Sequence, residues 1–248
     1  MTHQTKGIVL KTVKYGETSL VVTVFTRMFG IQTYLVNGVR KQQQKGSKAI
    51  MLQPSALLDM EVYHNEMKSL QRIKECEWSY LYEHLLSDVV KNSIATFLLE
   101  LLHKTLKQPE PNDALFDFCE DAFQYLDTAS AGAAANFALY FSLHLPQFFG
   151  FNIQHTEVIS ADEAEIYLDL MEGNFVYQKP QHHHFIQGEI AMLTMELLKA
   201  MHPSELEEFR LNKDIRRNLL TAYQQYYSLH IQDFGQMKTW KVLQEVLG

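Results

Sequence analysis

Residues 57–63 read Leu57-Leu58-Asp59-Met60-Glu61-Val62-Tyr63, an alternation that settles how the first third of the chain folds. Apolar Leu58, Met60 and Val62 interleave with charged Asp59 and Glu61, the period of two that turns one face of a strand inward and the other to water. Toward the amino terminus, Ile31–Asn37 follows a Met28-Phe29-Gly30 turn, Ser19–Thr26 is strongly β-branched, and Gly7–Val13 is β-rich. Toward the carboxy terminus, Leu70–Cys76 is a weaker strand. Turn residues fall between them at Tyr15-Gly16-Glu17, Asn37-Gly38 and Asn65-Glu66. Five short strands with a longer connection between the third and fourth suit an OB barrel. On pattern alone, another small barrel such as an SH3-like one fits as well.

Near Trp78 the period changes from two to 3.6. Leu81, Leu85, Leu86, Val89, Val90, Ile94, Phe97, Leu98, Leu101 and Leu102 recur at helical spacing, with Ser87-Asp88 placed to cap a second helix. Pro109-Glu110-Pro111 breaks the pattern, and Asn112 or Asp113 caps a helix toward Leu126. Further helices are predicted over Ala133–Leu145, Ile186–Met201, Lys213–His230 and Thr239–Leu247. Residues 151–186 are the least regular part. The expected organisation is a strand-rich domain over 1–78 and a helical domain over 79–248.

The net charge is −7, which taken whole argues against a nucleic-acid partner. Residues 1–80 carry 11 Lys and Arg against 6 Asp and Glu, whereas 81–248 carry 11 against 23. The total therefore joins a +5 segment to a −12 segment, the asymmetry expected of two units with different partners. The 2 cysteines, Cys76 and Cys119, cannot make a disulfide framework or a four-cysteine zinc site, and core positions suit both. No run reaches the roughly 18 apolar residues of a membrane span, and the start lacks a signal peptide's apolar core. A soluble protein of a reducing compartment, without membrane contact, is expected.

Signatures of catalysis are missing: there is no G-x-S-x-G, H-E-x-x-H, C-x-x-C, Walker loop or G-x-G-x-x-G. No enzyme activity is expected. His182-His183-His184 invites a metal reading, but consecutive side chains of an extended chain alternate faces and no cysteine lies nearby. A solvated, pH-sensitive loop is expected there, and no metal. The segment Gly38–Lys48 holds Arg40, Lys41, Lys45 and Lys48 and no acid, within the long connection of the barrel. Such a loop can track a phosphate backbone, and Lys6, Lys11, Lys14 and Arg27 add charge before it. Charge alone does not separate that reading from an ordinary solvated loop. In the acidic half, Arg210, Lys213, Arg216 and Arg217 form a basic cluster suited either to surface pairing or to an acidic peptide or carboxylate terminus. Tyr223, Tyr226 and Tyr227 read as packing between helices.

Taken as a string, Lys6-Gly7-Ile8-Val9-Leu10-Lys11-Thr12, Tyr15-Gly16-Glu17-Thr18-Ser19, Val24-Phe25-Thr26-Arg27, Gly30, Gly38-Val39-Arg40-Lys41 and Leu52-Gln53-Pro54 closely resemble the start of the RecO family of bacterial recombination mediators. Tyr226-Tyr227-Ser228-Leu229-His230, with Lys238 and Val242-Leu243, resembles its end. The resemblance implies an amino-terminal OB fold followed by an α-helical domain, an α+β multidomain chain without bond-making chemistry or cofactor. It implies binding of single- and double-stranded DNA, annealing of complementary strands, and partnership with RecR and the single-stranded DNA-binding protein SSB in loading RecA. A cytoplasmic, nucleoid-associated location follows. Many members carry four zinc-binding cysteines just after the landmark that Phe149-Gly150-Phe151 matches, whereas residues 152–186 here contain none. Zinc is therefore not carried over, and packing by Ile166, Tyr167, Leu168, Phe175, Val176 and Tyr177 is expected in its place. The expected DNA contacts are Lys11, Lys14, Arg27, Arg40, Lys41, Lys45 and Lys48, as phosphate contacts without sequence readout. Arg210, Lys213, Arg216 and Arg217 are the expected dock for the acidic tail of SSB. The rival is a non-catalytic scaffold whose barrel binds only protein.

Overall fold

Five strands form the first third of the chain in a computed structural model that describes residues 1–39, 47–154 and 165–247, leaving aside the side chains of Ser47 and Lys48. They are β1 (Thr2–Tyr15), β2 (Ser19–Thr26), β3 (Gly30–Val36), β4 (Leu57–Tyr63) and β5 (Arg72–Tyr80), with the short helix α1 (Ser47–Met51) between β3 and β4. The sheet order is β3-β2-β1-β4-β5, every neighbour antiparallel. A parallel bridge from Tyr34 to Gln71 joins the two edges, with Leu35 N donating to Gln71 O at 3.0 Å and Gln71 N to Thr33 O at 2.8 Å. This closure distinguishes the OB barrel from the other small barrels that the pattern left open. The buried Gln71 side chain also donates to Asn65 O and Lys68 O and accepts from Asn65 N, which fixes the turn between β4 and β5.

The inward residues are those the alternation marks: Val9, Val22, Val24, Tyr34, Leu58, Met60 and Val62 share one core. Gly7 is required where strands cross most closely, since a Cβ there would lie 2.6 Å from Val24 Cγ1 and 2.8 Å from Met60 Cε. β1 and β5 are longer than the sequence pattern marks. A turn region, not a helix, follows β5, so that the first long helix, α2 (Val89–Thr105), starts just after the expected Ser87-Asp88 cap.

The chain divides by proximity into two units: Met1–Asp88 with Leu98–Thr128, and Val89–Phe97 with Ala129–Gly248. The first unit takes in α3 (Asp113–Thr128), and the physical reason lies in that helix's contacts. Asn112 Oδ1 caps it by accepting from Leu115 N at 2.9 Å. Its Phe116 ring packs on Phe25 of β2 at 5.5 Å, and Glu120 pairs with Lys6 at 2.9 Å. Near its end the fully buried Asp127 accepts from Glu83 N, His84 N, Leu85 N and the Tyr80 hydroxyl, at 2.9, 2.8, 2.6 and 3.2 Å. Burial works against the charged carboxylate, but these bonds outweigh it and hold Asp127 below the usual carboxylate range.

The second unit is built around α4 (Ala131–His144), capped by Ser130 and buried along most of its length. It includes α5 (Glu189–Lys199), α6 (Lys213–His230), capped by Asn212, and α7 (Trp240–Val246). The three tyrosines of α6 are buried as packing: Tyr223 bonds Thr194 Oγ1, Tyr226 donates to Phe151 O, and Tyr227 to Ser142 O. Within the stretch read as irregular, the structure adds a three-stranded antiparallel sheet of β6 (Tyr167–Asp169), β7 (Asn174–Val176) and β8 (Phe185–Gln187), in the order β7-β6-β8. Ile166, Tyr167, Leu168 and Phe175 are buried there as expected, while Val176 is half-buried and Tyr177 more open.

Candidate nucleic-acid interface

Charge is polarised within the barrel itself. Residues 1–58 contain 8 Lys and Arg and a single acid, Glu17, whereas 59–80 contain 5 acids and 3 cations. Because β1, β2 and β3 end before residue 58 and the acids from Asp59 onward fall on β4, β5 and their turn, the two outer faces differ in sign.

On the outer face of β1, β2 and β3, strand pairing sets side chains in rows. Ile8, Phe25 and Ile31 form one row, and Phe25 lies under Phe116 of α3. Beyond a bulge between Val9 and Lys11 come Lys11, Thr23 and Thr33, then Val13, Val21 and Leu35, then Tyr15 opposite Ser19, whose hydroxyl bonds Asn37. Thr12, between these rows, turns inward and donates to Leu52 O. Val13 is 47% and Tyr15 59% exposed, and Lys11 and Lys14 are exposed. No acid stands on these rows; Glu17 lies in the turn beyond them.

The outer face of β1, β4 and β5 has the opposite character. Lys6, Asp59 and Glu77 share a row, and Gln4, Glu61 and Glu75 the next. With Arg27, Pro111 and Asp113 they line a groove of about 970 Å³. Its cations are already engaged. Lys6 bonds both oxygens of Glu120, and Arg27 bonds both oxygens of Asp117 at 2.7 and 2.9 Å and Asp113 at 3.2 Å. Carboxylates set directly opposite each other repel, and Lys74 offsets only Glu61. This face repels phosphate.

The structure thus sets Lys11 on this open face, gives Lys14, opposite Leu20 at the exposed end of β1, the parity of Thr12, and turns Arg27 toward α3. Arg40, Lys41 and Lys45 lie outside the described residues; the backbone of Lys48 is in α1 and its side chain is not described. Sequence reasoning did not single out Val13, Val21 or Leu35, although their alternate positions in β-branched stretches were the available signal.

In the second unit, Arg210, Lys213 and Arg217 are exposed and make no ion pair among the described residues. Arg216 differs. It is half-buried, its guanidinium donates to Leu211 O and Leu247 O, and burial lowers its pKa. It holds the start of α6 to the end of α7. His182 donates through Nε2 to Asp169 at 3.0 Å and accepts at Nδ1 from His184 N, His184 Nδ1 meets Gln225, and His183 is exposed. Among the described residues no three His, Cys, Asp or Glu side chains are grouped to hold a metal ion, and no helix is long and apolar enough to cross a membrane.

Two family models match the chain, described as recombination protein O N terminal, over residues 1–82, and recombination protein O C terminal, over 86–240. Among similar curated proteins, one from Phocaeicola vulgatus is 32% identical over 100% of both chains. One from Azobacteroides pseudotrichonymphae is 30% and one from Bacteroides fragilis 31% identical, each over 99% of both chains. All three are called DNA repair protein RecO.

Proposed function

The chain belongs to the RecO family, and on that footing we propose that it serves DNA repair as a DNA-binding recombination mediator. It binds single- and double-stranded DNA, anneals complementary strands, and helps RecR load RecA on DNA coated by SSB. Its work is positioning, with no bond made or broken, and its place is the cytoplasm at the chromosome.

The observation that carries the reading is the sign reversal across the barrel. The acid-free face of β1, β2 and β3 presents Lys11, and Lys14 is exposed at the end of β1. The connection after β3 adds Arg40, Lys41, Lys45 and Lys48. Cations of this kind neutralise phosphates and release counterions without reading sequence. Arg27 would have to exchange Asp117 for a phosphate, so its part is secondary. Arg210, Lys213 and Arg217 are proposed to receive the acidic tail of SSB, with Arg216 anchoring the helix that carries Lys213 and Arg217.

The test is the annealing rate of complementary strands coated with SSB, with and without the protein. The proposal expects acceleration that is lost when Arg40, Lys41, Lys45 and Lys48 are replaced together by Ala. A rate unaffected by the wild-type chain would overturn it.

A further inference from the structure

We infer that Val13, Tyr15, Val21 and Leu35 form a stacking platform for the unpaired bases of single-stranded DNA, an inference that rests on the DNA binding proposed above. A water-facing β-sheet normally sets polar side chains outward. Here two successive outward positions of β1 are Val13 and Tyr15, both about half exposed, with Val21 and Leu35 beside Val13 in the same row. α3 covers the Ile8–Phe25–Ile31 row at Phe25; beyond the intervening Lys11–Thr23–Thr33 row, the Val13–Val21–Leu35 row and Tyr15 stay partly or half exposed.

Charge complementarity selects the occupant. Lys11 flanks these residues on one side, and the hydroxyls of Thr23, Thr33 and Ser19 border them without an acid. Unpaired nucleotides present flat apolar bases joined by anionic phosphates, which matches an apolar centre with a cationic and hydroxyl rim. A duplex hides its base faces in its own stack and offers only phosphates and groove edges, so it cannot use this centre. Strands about 4.8 Å apart and rows about 6.8 Å apart make the platform wide enough for one or two bases. Stacking of this kind is indifferent to sequence, and bases held singly can leave singly to pair with a complement.

The experiment is fluorescence anisotropy with the full chain, a labelled oligothymidylate, and a labelled hairpin duplex of equal phosphate count. Tyr15→Ala should bind the single strand about tenfold more weakly, with the duplex affinity and the salt dependence unchanged. Tyr15→Phe, which keeps the ring, should match the wild type. In Tyr15→Trp the new indole fluorescence should be quenched by the single strand and not by the duplex. The inference is overturned if Tyr15→Ala weakens neither form, or weakens both alike, as a partner-protein surface or a disturbed hairpin would give. A wild-type chain that binds no DNA brings down the proposed function as well. Salt-dependent binding that ignores Tyr15 brings down this inference alone.

Discussion

Replacing Asp127 by Ala removes the group that ties the turn after β5 to the end of α3. Three backbone N–H groups, of Glu83, His84 and Leu85, donate to this fully buried carboxylate at 2.6–2.9 Å. Left without an acceptor, each costs about 1–3 kcal/mol, and relaxation with water entry keeps the sum near the lower end, about 3–5 kcal/mol. Asp127→Asn retains one acceptor oxygen but aims an amide NH₂ at donors, for a loss of about 2 kcal/mol. In urea unfolding followed by circular dichroism, a slope of about 2 kcal/mol/M turns the Ala loss into a midpoint lower by about 2 M. pH supplies a second reading. Because Asp127 titrates below its ordinary value in the folded protein, its stabilisation is present above about pH 4 and is lost as pH falls through the folded value. The gap between wild type and variant should therefore narrow in acid. A midpoint shift under about 0.5 M for Asp127→Ala, or a gap that widens in acid, would refute the reasoning.

Three further outcomes are expected. Gly30→Ala forces an L side chain into φ +61° with its Cβ against the Glu110 carbonyl, which should cost at least about 2 kcal/mol. Calorimetry should find unfolding about 4–8 °C lower, and an unchanged midpoint would contradict the close approach. His144 is held below the usual histidine range by burial, against a bond to Ala200, so the unfolded chain takes up its proton first. Stability should then fall as pH drops below about 6.5, by at most about 1.4 kcal/mol per pH unit, and His144→Leu should flatten that slope. A slope equally steep in the variant assigns it elsewhere. Glu75→Gln with Glu77→Gln relieves the repulsion at the Asp59–Glu77 and Glu61–Glu75 positions, which should leave stability equal or slightly higher and DNA affinity undiminished. Weaker DNA binding in that variant would place DNA on the wrong face.

The barrel is legible in sequence wherever one strand face is buried and the other wet, as at Leu58–Val62, because a period of two has no other explanation there. Barrel closure is not, since it depends on Gln71, a polar residue in a weak strand whose side chain and backbone act together. The attachment of α3 was not legible, since nothing in the sequence pairs Asp113, Asp117 and Glu120 with the Lys6 and Arg27 that the fold sets opposite them. Strands as short as β6, β7 and β8 leave no period to count. For the site, the excess of +5 over residues 1–80 pointed to the barrel but averaged an acid-poor half with an acidic one. Only strand order separates them onto two faces. Arg216 shows the opposite failure, a cation placed in a basic cluster by nearness in sequence and used by the fold as a structural anchor.

The central claim is that phosphates bind the acid-poor face of the barrel and the connection after β3. Its most direct test is the affinity for single-stranded DNA measured across a range of salt concentrations. The account predicts a steep linear fall of log affinity with log salt. The slope should lessen by about 0.7 for each phosphate contact removed, or up to about 4 when Lys11, Lys14, Arg40, Lys41, Lys45 and Lys48 are all replaced. Binding that is absent at low salt, or a slope that these replacements leave unchanged, would contradict it.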